Sequence, residues 1–180
     1  MSQPTIREVH VEFICRDAIY DSLKKWAHHN PQARMMLLVD SCPHCGRVLT
    51  PCNPQTRYAE LGKTSPTGLH VHLFYPRHWW VNKLVYEQQF MMLENGLKTL
   101  RDCGIKTSHF APGNWKFNKD TIRACHELSL LNFHWHEHED NQQTVEWARK
   151  VYADMNFISA KGRYTHDWSI HHKHSVLVRV

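Results

Sequence analysis

The chain is 180 residues long, 42% hydrophobic and 22% charged, a composition that suits one globular domain able to bury a core without disulfide support. Its net charge of +5 comes from scattered Lys and Arg, which argues against a nucleic-acid partner, and no run approaches the ~18 apolar residues that a membrane helix needs. With no apolar stretch near Met1 to act as an export signal, the six cysteines read as reduced thiols of a cytoplasmic protein, and the 16 histidines become the clearest chemical signal, because neutral imidazole is the commonest metal ligand.

Residues 8–17 alternate like a strand, with Val9, Val11, Phe13, Cys15 and Asp17 on one face, so that an acid ends an apolar face. A helix is predicted over 18–29, and Arg34 to Asp40 reads as a second strand that again finishes in an acid. Residues 41–66 are rich in Pro, Cys, Asn, Thr and Ser and show little periodicity, which predicts a long loop excursion. Gly68 to Tyr75 is the third strand. Over 82–103, Tyr86, Phe90, Leu93, Leu97 and Leu100 recur at helical spacing, and Gly104 stands where a glycine stops a helix. Ile105 to Phe110 makes a fourth strand, Asn118 caps a helix that runs to about Leu128, and Leu130 to His136 is a fifth strand. A helix near 143–154 and strands at 157–166 and 174–180 complete the order. Such alternation predicts a single α/β domain over 1–180 with a parallel sheet, open or barrel-like.

Two motifs carry chemistry. His70 and His72 are separated by one residue on a predicted strand, so their side chains leave the same face and can converge on one ion, although two ordinary histidines on a half-buried strand fit the spacing equally. Cys42-Pro-His-Cys45-Gly, with Cys52 beyond it, resembles half of a zinc ribbon, and Cys42, Cys45 and Cys52 form a possible structural metal site; reduced cysteines in a loop are the plain alternative.

Gly68-Leu-His-Val-His72, the long helix behind it, Phe110-Ala-Pro-Gly-Asn-Trp115 and Asn118-x-x-Thr-Ile122 together resemble the motif order of the NodB-like polysaccharide deacetylases over most of the chain. The resemblance implies a distorted or incomplete (β/α) barrel, with the cysteine loop inserted after the second strand. It implies a divalent metal, zinc first among them, held by Asp17, His70 and His72. Within Tyr164-Thr-His-Asp-Trp168, His166 takes the place of the catalytic acid, while Trp79, Trp115 and Trp168 would face a sugar.

The departures are equally specific. Arg16 stands where the family has its general base, Ala111 where it has the arginine that orients that base, and Phe74 where its second histidine falls. A base must therefore come from elsewhere, and Asp40 at the end of the second strand is the first choice. The expected activity is metal-dependent removal of an acetyl group from an N-acetylated sugar in glycan biosynthesis. The alternative is a catalytically impaired deacetylase fold that binds carbohydrate without turnover.

Overall fold

The computed structural model describes residues 8–39, 54–72, 81–137, 139–161 and 163–170. Along them strands and helices alternate: β1 (Glu8–Val11), α1 (Asp17–His29), β2 (Arg34–Leu38), α2 (Gln55–Thr64), β3 (Thr67–Val71), α3 (Tyr86–Asp102), β4 (His109–Pro112), α4 (Lys119–Glu127), β5 (Asn132–Trp135), α5 (Glu139–Val151), β6 (Asn156–Ser159) and β7 (Tyr164–His166). All the described strands pair in parallel in one sheet of order β6-β5-β4-β3-β2-β1-β7.

The sheet is curled into a half-barrel. In a flat sheet β1 and β5 would lie about 19 Å apart, four spacings of roughly 4.8 Å. Here the Glu8 carboxylate of β1 accepts a 2.6 Å hydrogen bond from His134 Nδ1 of β5. Only strong curvature lets side chains on one face reach across the intervening strands.

The two faces have different chemistry. The outer face, Val9, Val11, Met35, Leu37, Leu69, Val71, Phe110 and Phe133, packs against helix residues such as Leu23, Trp26, Leu93, Leu97, Leu100, Ile122 and Ala148, and this is the hydrophobic core. Strands of a parallel sheet are normally apolar on both faces. The inner face instead carries Glu8, His10, His70 and His134, all buried, with a small apolar patch of Met36, Ala111, Trp115 and Ala160.

Local chemistry fixes several element ends. The α3 helix terminates where the periodicity predicts: Gly104, with φ +76°, donates to Arg101 O, and Ile105 donates to Leu100 O, the paired bonds of a Schellman stop. Asn118 caps α4 through Thr121 N, and the Thr121 hydroxyl accepts in turn from Asn118 N. None of the described helices is long and apolar enough to cross a membrane.

Several boundaries differ from the sequence reading. The first strand stops at Val11, and the chain turns before α1 begins at Asp17, so the period-2 alternation does not continue to that residue. The predicted excursion at 41–66 contains α2, whose Tyr58 and Leu61 sit one helical turn apart and are buried against the core; polar composition hid a helix that tertiary packing supports. The single strand expected at 157–166 divides into β6 and β7, which occupy opposite edges of the curled sheet. The strand expected at 174–180, with Asp40, Cys42, Cys45, Cys52 and Trp79, lies outside the described residues.

A Cβ built on Gly104 meets no atom within 4 Å, so Gly104→Ala tests backbone conformation alone. The expected loss is about 1 kcal/mol, seen by thermal unfolding as a melting midpoint lower by roughly 2–4 °C.

Candidate metal centre

Where β1, β3 and β7 end, their inner-face residues converge. Glu12 follows the last residue of β1, His70 lies in β3, His72 follows it, and His166 closes β7. Active sites of barrel-like α/β folds gather at this C-terminal rim of the strands. One oxygen of Glu12, Oε1, lies 3.5 Å from His70 Nε2, 3.3 Å from His72 Nε2 and 3.3 Å from His166 Nδ1. That oxygen is buried and receives no aligned hydrogen bond. The metal-donor atoms of His10, Glu12 and His70 all lie within 4.8 Å of one another.

These separations identify what the cluster is suited to. Four ligands at about 2.0–2.1 Å around a tetrahedral cation are about 3.3–3.4 Å apart. The Glu12 contacts match that edge, and the 2.8 Å between His70 Nε2 and His72 Nε2 is the shorter separation of nitrogens sharing a proton. The ring of His70 is held in one tautomer: its Nδ1–H donates to Ala111 O at 2.8 Å, which leaves Nε2 a lone pair that accepts from His72 Nε2 and is the ring's ligand atom toward a cation. One carboxylate among imidazoles is a donor set that could hold a metal ion.

Electrostatics agree with the geometry. Burial would raise the Glu12 carboxyl, but the imidazoles of His166, His70 and His72 outweigh it and hold it far below the usual carboxylate range. Burial, reinforced by the neighbouring His70, pushes His10 down to about 3 and His72 down to about 4, so both rings are neutral, the form that binds a cation.

Supporting residues hold the rim. Asp167, directly after β7, is buried and accepts from Glu12 N at 2.9 Å and Phe13 N at 2.6 Å, which ties the end of β1 to β7 and aims Glu12 inward. Burial pushes the Asp167 carboxyl up to about 6, against the opposing pull of the Phe13 N–H and with some help from the Glu12 charge. Gly113 has no room for a side chain, since a Cβ there would stand 2.7 Å from the His72 ring. Asn114 and Trp115 beside it both have positive φ, and Asn141 of α5 holds this strained turn by donating to Trp115 O at 3.0 Å.

The sequence-predicted residues divide among several places. His70, His72 and His166 meet in the cluster. Asp17 does not join them: it is exposed on the first turn of α1, where it pairs with Arg57 of α2. Trp115 is buried inside the half-barrel, its ring 4.8 Å from His10 and 4.9 Å from Tyr164, and forms a floor rather than an open surface. Trp168 is 47% exposed and stacks on His166, with ring centroids 6.1 Å apart. Arg16 lies over the Phe13 ring, and Ala111 supplies its carbonyl to His70.

Glu12 and His10 are the members that sequence reasoning missed. Their signal was the His10-x-Glu12 alternation on the polar face of β1, the same spacing that marks His70 and His72. No family model matches the chain, and no curated protein matches it significantly.

Replacing Asp167 by Ala strands the Glu12 and Phe13 N–H groups in a partly buried rim. The expected loss is about 2–4 kcal/mol, measured as a drop of roughly 5–15 °C in the melting midpoint.

Proposed function

We propose that the chain is a metal-dependent hydrolase of the deacetylase kind, acting on the acyl group of an N-acetylated sugar. The observation that carries this reading is the single buried Glu12 oxygen faced by three imidazole nitrogens at 3.3–3.5 Å, with His10 close by. Glu12, His70, His72 and His10 would hold the cation. Bound there, a divalent cation supplies Lewis acidity toward an acyl carbonyl and lowers the pKa of a water molecule.

The remaining chemistry falls to the surrounding side chains. His166 reaches Glu12 from the rim with its side chain 27% exposed, so it can exchange protons with solvent and deliver one to a leaving nitrogen. Trp168, stacked beside it and open to solvent, offers a flat apolar face to a sugar ring. The order of motifs and the half-barrel with its site on the C-terminal rim support the NodB type of barrel. Glu12 takes the role that the motif register assigns to Asp17.

Carbohydrate binding without turnover is the second reading, and one observation favours it. Among the described residues around the cluster, no further carboxylate is open to act as a base: Asp167 accepts from three backbone N–H groups, and Glu8 is engaged by His10 and His134.

Elemental analysis of the purified protein tests the centre. The expected result is one transition metal per chain in the wild type and in Asp17→Ala, and loss of that metal in Glu12→Gln and in His70→Ala; metal kept by both site variants overturns the assignment. Acetate release from N-acetylglucosamine oligomers by the zinc-loaded protein separates hydrolase from binding protein. Trp168→Ala is expected to weaken oligomer binding about tenfold, the loss of one stacking contact of roughly 1–1.5 kcal/mol, as measured by calorimetric titration; unchanged affinity removes Trp168 from the sugar site.

A further inference from the structure

Beneath the rim, the interior of the half-barrel holds a second set of buried polar groups. Glu8, 4% exposed, accepts from His10 Nε2 at 3.0 Å with one oxygen and from His134 Nδ1 at 2.6 Å with the other. His134 Nε2 in turn meets His109 Nδ1 at 2.9 Å. A carboxylate shut inside a sheet is costly unless it is fully paired, and each oxygen of Glu8 has a partner. A strand of a parallel sheet needs no such group for packing, since its interior positions are ordinarily apolar.

Hydrogen bonding to Glu8 has a consequence for His10. A proton on Nε2, directed at the carboxylate, leaves Nδ1 as the lone pair of the neutral ring. His10 is also the ring that lies against His70, with centroids 4.4 Å apart. We propose that Glu8 is the positioning residue of the metal centre: its carboxylate fixes the tautomer and tilt of His10 so that Nδ1 faces the cation beside Glu12 and His70. This rests on the metal-centre reading above and assigns the role of a residue that touches neither cation nor substrate. Glu8 does for His10 what the Ala111 carbonyl does for His70, with a full charge instead of a dipole. His134 and His109 brace the far side of the carboxylate.

The test is cobalt(II) titration of the metal-free protein, followed by visible absorption, for the wild type and Glu8→Gln. The wild type is expected to bind one equivalent with an intense low-coordinate absorption band. Glu8→Gln, which keeps the shape and loses the charge, is expected to bind about 10–100-fold more weakly with a shifted band, while its metal-free melting midpoint stays at or above that of the wild type. A purely structural role predicts the reverse, a lower midpoint with unchanged affinity and spectrum, and that result overturns the proposal while leaving the centre intact. Should Glu8→Gln not fold, Glu8→Asp, which retains the charge but draws the carboxylate away from His10, carries the same expectation, and wild-type affinity in it overturns the proposal. A wild type that binds no cobalt overturns the centre itself, and the role of Glu8 with it.

Discussion

Two carboxylates inside the half-barrel, Glu8 buried in β1 and Glu12 just past its end with one oxygen buried, set the terms for the rest of this molecule. Charge inside a low-dielectric interior persists only when partners surround it. Burial would raise the Glu8 carboxyl, yet the hydrogen bonds from His10 and His134 hold it down at about 2, and three imidazoles do the same more strongly for Glu12. Those partners come from β1, β3, β5 and β7, which a flat sheet would hold too far apart. Curvature and the polar inner face are therefore one feature: the sheet must curl to satisfy the carboxylates, and the outer apolar face wrapped in helices supplies the stability that allows it.

The inner face has two levels. The lower one, Glu8 with His10, His134 and His109, is closed by hydrogen bonds among its own members. The upper one, Glu12 with His70, His72 and His166, contains a buried oxygen faced by nitrogens at coordination-edge spacing and bonded to none in good alignment. A cluster that is satisfied below and open above is suited to receive an ion from the rim side. His10 belongs to both levels, bonded to Glu8 and with a donor atom within 4.8 Å of those of Glu12 and His70.

The rim beside this cluster is tied down by hydrogen bonds and close packing. Asp167 ties β7 to the end of β1, Gly113 lets the β4 loop lie flat against the His72 ring, and Asn141 pins two residues of positive φ that would otherwise relax. The positive-φ turn at Asn114 and Trp115 is thus held by a buried side chain, Asn141, close to the cluster of imidazoles.

What the sequence by itself determined is what depends on neighbours a few residues away. The α/β alternation, the helix ending at Gly104, the Asn118 cap and the same-face pairing of His70 and His72 all follow from helical or period-2 spacing and from capping chemistry. Only the tertiary structure decided where β1 ends, and with it that Glu12 and His10, not Asp17, face the histidine pair. It also decided that α2 forms within a polar stretch, that β7 leaves β6 to pair with β1 and bring in His166, and that Trp115 lies inside while Trp168 stays open. The physical reason is the same in each case: strand pairing, sheet curvature and helix docking balance burial across residues far apart in the chain, and no local spacing records which partner a strand or a carboxylate will find.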